Sequence, residues 1–118
     1  MENLMIKSII ELFSISAKNH YLATIKGDWK TANKEISKLR EVYKKICKIN
    51  GSARKELLIL TENNDLAIAS MAAFYSLNYD PEKSISILEK ISNEPGIIGF
   101  QAKQAIQRWN EGKWDLEK

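Results

Sequence analysis

Apolar residues recur at intervals of three and four along almost the whole chain, a spacing that puts them on one face of an α-helix. Over residues 4–25 that face is Ile6, Ile9, Ile10, Phe13, Ala17 and Tyr21. Gly27 ends this first helix, and Asp28 is a good N-cap for the next. Residues 29–49 form the second helix, with Trp29, Ala32, Ile36, Leu39, Tyr43 and Ile46 as its apolar stripe and Asn50-Gly51 as its stop. A third helix starts near Ser52, a fair N-cap, and carries Ala53, Leu57, Leu58 and Leu60. Asn63-Asn64-Asp65 reads as a turn whose last residue caps a fourth helix over 66–78. That helix is apolar on nearly every side, from Leu66 through Ala72, Ala73 and Phe74 to Leu77, and should be the most buried element. Asp80-Pro81 opens a fifth helix, with the acid at the cap and Pro at the first helical position. It runs to about residue 91 with Ile85, Ile87, Leu88 and Ile91 inward. Glu94-Pro95-Gly96 breaks the chain before a sixth helix over 97–110, which carries Ile98, Ala102, Ala105, Ile106 and Trp109. Gly112 stops it, and a charged tail over 113–118 holds Trp114.

The pattern predicts an all-α protein of six helices, stacked as three antiparallel pairs in one domain over residues 1–118. Two Pro and five Gly are too few for a turn-rich β fold. An internal echo favours stacking. Leu57-Leu58 matches Ile87-Leu88 at an offset of 30, and Ala69 and Ala72 match Ala102 and Ala105 at an offset of 33. Helix pairs repeated at such intervals mark solenoids, although an Ala-, Ile- and Leu-rich helical chain can produce the same echo by coincidence.

Little in the chain suggests catalysis. One Cys and one His cannot build a Cys/His zinc site, and a lone Cys cannot form an intrachain disulfide. His20 has no nucleophile patterned around it and reads as a surface or half-buried residue. Cys47 lies near a helix C-terminus, where the dipole opposes a thiolate, and reads as a buried structural residue. Gly96 and Gly99 lack the preceding strand and the Lys-Ser/Thr of a phosphate loop. The chain is therefore expected to be no enzyme and to need neither metal nor cofactor. No apolar run reaches membrane-spanning length, and the start Met1-Glu2-Asn3-Leu4 is unlike a signal peptide, so a cytoplasmic location is expected. The Lys to Arg ratio of 15 to 3, with 16 Ile and nine Asn, suggests an AT-rich, bacterial coding sequence.

The remaining signal is charge. Residues 1–60 carry 12 bases and six acids, whereas residues 61–118 carry six bases and nine acids. On the second helix Lys30, Lys34, Lys38, Lys45 and Lys48 project within an arc of about 80° at ~100° per residue, away from the apolar stripe. Either they form a plain solvated face, with Glu41 paired to Lys45, or they dock an acidic partner or phosphate. Trp29 and Trp109 suit the core. Trp114, beyond the last helix, is the aromatic expected to be exposed and to anchor a partner. A nucleic-acid partner is disfavoured by only three Arg, a net charge of +3, and no aromatics interleaved with the lysines.

Three clusters resemble a small bacterial family described as a domain of unknown function. They are Gly27-Asp28 with Asn33-Lys34 and Leu39; Ile68-Ala69 with Ala72-Ala73, Leu77 and Ile87-Leu88-Glu89; and Gly99, Ala102, Ile106, Trp109 and Gly112. Together they span nearly the whole chain. The resemblance implies a HEAT-like helical repeat. Some members of that family sit among bacterial immunity genes, where a small protein neutralises a toxin made by the same cell, and the resemblance makes such a role an expectation here. An Arg usual in HEAT-like second helices, near position 69, is Ala69 here, which removes one partner of any salt bridge between repeats.

Overall fold

The computed structural model describes residues 2–49 and 51–114 and is all-helical, with no strand among those residues. The helices are α1 (Glu2–Lys26), α2 (Trp29–Lys48), α3 (Gly51–Ile59), α4 (Leu66–Ser76), α5 (Pro81–Ile91) and α6 (Gly96–Asn110), with a 3-10 turn at Leu60–Glu62. Their boundaries follow local chemistry. Asp28, Asp65 and Asp80 each cap a helix by accepting a backbone N–H, from Thr31, Ala67 and Lys83 at 3.1, 2.9 and 3.1 Å. Asn63 Oδ1 accepts from the Asp65 N–H at 2.8 Å and closes the turn before α4. One stop differs from expectation. Gly51 has no left-handed backbone and opens α3 instead of ending α2, so Ser52 lies inside the helix rather than capping it.

The chain divides into two compact units, residues 1–57 and 58–118. In the first, α1 and α2 pack along each other as a hairpin. Gly27, at φ +73°, makes the turn. The Asp28 N–H donates to the Ala23 carbonyl at 2.9 Å and the Gly27 N–H to that of Thr24 at 3.1 Å, the paired bonds of a Schellman stop. Ile6, Phe13 and Ala17 of α1 are buried, as are Ala32, Leu39, Val42 and Ile46 of α2.

In the second unit α4, α5 and α6 share one core of Ala69, Ala73, Leu77, Leu88, Ile91, Ala102 and Ala105. Eight of the eleven residues of α4 are buried, in keeping with its lack of a polar face. Ala69 and Ala102, the residues that echo each other in the sequence, belong to this same cluster, where small side chains let the helices approach closely. Gly99 is a second close approach. A Cβ there would overlap the carbonyl oxygen of Glu94 in the loop that precedes α6.

Two overpacking predictions follow from this geometry. Ala72 and Ala73 are fully buried, so Leu at either position should destabilise the protein by ~1–3 kcal/mol, read from urea denaturation. Gly99→Ala should cost a similar ~1–3 kcal/mol because backbone, not a flexible side chain, blocks the methyl group. A neutral result at all three sites would contradict the packing described.

Candidate functional site

The side chains that could carry function are concentrated on α1 and α2. The buried face of α2 is turned relative to the face expected from its apolar residues. Glu35 and Val42 are buried, whereas Ile36 and Tyr43 are half-buried and Trp29 is 63% exposed. At ~100° per residue the shift is about 50°. Trp29 is therefore no core residue. It follows Asp28 directly and begins α2.

The same turn draws a carboxylate inside. Glu35 is only 5% exposed. Its Oε2 accepts from Lys38 Nζ at 3.2 Å, while Oε1 has no hydrogen-bond partner among the described residues. His20, half-buried on α1, is close enough to feel that charge. Burial pushes the imidazole below its ordinary value, and the negative charge of Glu35 offsets part of this effect. The arrangement sets a histidine within electrostatic reach of a carboxylate, and Thr24 Oγ1, one turn along α1, donates to the His20 carbonyl at 2.8 Å. Among the described residues there is no group of three or more His, Cys, Asp or Glu that could hold a metal.

Lys30, Lys34, Lys38, Lys45 and Lys48 are all exposed. Lys38 is held by Glu35. The Glu41–Lys45 pair that the spacing allows is not formed, and Lys30, Lys34, Lys45 and Lys48 have no ion pair among the described residues. The face is thus a set of four uncompensated cations rather than a laced, solvated helix.

Two single-residue expectations are corrected. Cys47 is exposed, because its neighbour Ile46 takes the inward position and the next residue on a helix points about 100° away. Trp114 is not an open anchor. The Schellman stop at Gly112 reverses the chain, with the Lys113 N–H donating to the Arg108 carbonyl at 2.8 Å. The indole then packs on Phe74 with ring centroids 5.8 Å apart, against the core of the second unit. Its Nε1 is buried with no acceptor among the described residues. Trp109 packs against the same core, as its helical spacing suggests.

The acidic second unit holds an open groove of about 750 Å³ lined by Glu62, Asp80, Glu82, Lys83 and Lys90. Its charges are partly spent, since Asp80 caps α5 and Glu62 pairs with Lys83 at 3.0 Å. Sequence reasoning missed a different surface. Leu4, Met5, Leu12, Ile15, Leu22 and Ile25 of α1 are exposed. They were legible as apolar residues off the expected face, at spacings of three and seven. Among the described residues no helix is long and apolar enough to cross a membrane.

No family model matches the chain, and no curated protein matches it either. Among solved structures, the crystal structure of the protein RPA1889 from Rhodopseudomonas palustris CGA009 is similar. It shares 19% identity and a TM-score of 0.84, over 93% of this chain and 92% of that one. At that identity the likeness shows the fold alone.

The lowered His20 titration has a testable consequence. A folded pKa below the unfolded value means the unfolded chain binds the proton more readily. The stabilising contribution is fully present above about pH 6.5, the ordinary value, and is lost as pH falls through the folded value. Urea midpoints between about pH 7.5 and 5 should therefore fall more steeply for the native chain than for His20→Gln. The single imidazole should titrate below its ordinary value by NMR. Parallel stability curves, or a titration at or above about 6.5, would refute this account.

Proposed function

We propose that this chain is a protein-binding module without catalytic activity, and most concretely an immunity protein that neutralises a bacterial toxin by occlusion in the cytoplasm. The single observation carrying this reading is the outer face of α2, where Lys30, Lys34, Lys45 and Lys48 are exposed and have no ion pair among the described residues. Uncompensated like charges on one helix face cost stability without an intramolecular return, which is understandable if an acidic partner supplies the counter-charge. Such a face speeds encounter and rejects like-charged partners. Trp29, 63% exposed at the head of the same helix, takes the role of aromatic anchor that Trp114 does not fill. The small-residue echo of Ala69 with Ala102 supports reading the helices as a HEAT-like right-handed solenoid, the fold that the family resemblance implies.

The exposure of Trp29 beside Lys30 also favours a second reading, binding of nucleic acid, because an open indole next to cations can stack on a base. Salt separates the two. Phosphate binding weakens log-linearly with salt, with a slope near the number of phosphates engaged, whereas an interface with an apolar anchor keeps much of its affinity.

The test titrates the native chain, Lys34→Glu/Lys45→Glu and Trp29→Ala against the product of the neighbouring gene and against duplex DNA, at two salt concentrations. The double reversal should leave stability within about 0.5 kcal/mol of native. It should raise the dissociation constant for the protein partner by about tenfold or more, mostly through slower association. Trp29→Ala should raise it through faster dissociation. Unchanged affinity in both variants would remove this face from binding. Tight, steeply salt-dependent DNA binding would replace the protein partner with nucleic acid.

A further inference from the structure

α1 is apolar on two opposite faces. One face, with Ile6, Phe13 and Ala17, is buried. The other carries Leu4, Met5, Leu12, Ile15, Leu22 and Ile25, each between 38 and 70% exposed. With Ser16, Ala23 and Thr24, which are also buried, the covered face is centred about 150° from the exposed one at ~100° per residue, so the two adjoin along Ser16 and Ala23 but point largely in opposite directions. Met5, Leu12, Ile15 and Leu22 stand at the 3-4 spacing of a heptad seam, with Ser8 and Asn19 as its two polar positions. Six side chains about half open leave on the order of 500 Å² of apolar surface, near the upper end of what a monomer normally exposes.

The seam is self-complementary when reversed. A two-fold axis crossing α1 between residues 13 and 14 sets Leu12 against the partner's Ile15 and Met5 against the partner's Leu22. It sets Ser8 against the partner's Asn19, so the only polar positions in the seam meet each other. On the shoulder, Leu4 falls beside the partner's Ile25 and Glu11 beside the partner's Lys18, joining opposite charges twice in one interface. A parallel pairing sets Asn19 on Asn19 and brings Glu11 near Ser16, with no charge match. Residue i meeting j while j meets i is what an isologous two-fold interface requires.

The geometry points to an antiparallel homodimer through the outer face of α1, with a second copy of this chain as the occupant of the exposed seam. Burial of the seam from both copies removes on the order of 1,000 Å² from water, which reaches the size of a specific interface. The surface is separate from the α2 lysines. A dimer carries two basic faces, and the proposal stands or falls independently of what those faces bind.

The test is the mass of the full chain by sedimentation equilibrium at concentrations up to about 100 μM. The expected mass is twice the 13.5 kDa of one chain. Leu12→Glu/Ile15→Glu, which sets carboxylates against each other across the axis, should be monomeric with unchanged helix content by circular dichroism. Glu11→Lys and Lys18→Glu should each raise the dimer dissociation constant about tenfold, because each opposes like charges twice along that shoulder. An equimolar mixture of those two variants restores both opposite-charge pairs and should recover the native affinity, which a parallel pairing would not do. Lys34→Glu/Lys45→Glu should leave the mass unchanged. A monomer over the whole concentration range, a dimer insensitive to the Leu12/Ile15 change, or no recovery in the mixture would overturn the proposal.

Discussion

The turn between α1 and α2 decides most of what the first unit presents to its surroundings. Two backbone hydrogen bonds to Ala23 and Thr24 end α1, and the Asp28 carboxylate starts α2 one residue later. So short a joint leaves α2 little freedom to rotate about its axis. The face that meets α1 is therefore set by the joint together with the packing of Phe13, Ala17, Leu39 and Ile46, rather than by the best apolar face of α2 alone. Trp29 loses its place in the core, Glu35 is carried into it, and Lys38 follows to neutralise one oxygen.

Burying a carboxylate with one oxygen unpartnered is costly, and replacing such a group with an apolar residue is often neutral or stabilising. Its consequence here is electrostatic. Glu35 lies within electrostatic reach of His20 and pairs with Lys38, while Lys30, Lys34, Lys45 and Lys48 have no ion pair among the described residues. The unit thus separates its surfaces by chemistry. A basic face lies on one helix, and an apolar seam lies on the side of the other helix that α2 does not use.

The second unit is built on a different constraint, the small volume of its central residues. Ala69, Ala73, Ala102 and Ala105 lie in the core that α4, α5 and α6 share, and Gly99 lets the loop at Glu94 lie against the start of α6. Close-packed helices of this kind tolerate little added volume. Trp114 completes the layer by folding back onto Phe74, which removes from the surface an aromatic that position alone would leave open.

The helices, the caps at Asp28, Asp65 and Asp80 and the burial of α4 were legible in the sequence because each depends on residues within one or two turns. Asp28, Asp65, Asp80 and Pro81 act on the backbone beside them, and α4 has no polar side to turn outward. The lysine face was legible for the same reason, since helical spacing alone sets its arc. What one helix cannot specify is the rotation at which it meets its neighbour. That rotation left Trp29 and Cys47 open, buried Glu35 and made the second face of α1 a free seam. A heptad pattern states that a face is apolar, but which of two apolar faces is covered depends on the packing energy of both helices together. Only the tertiary structure supplies that choice.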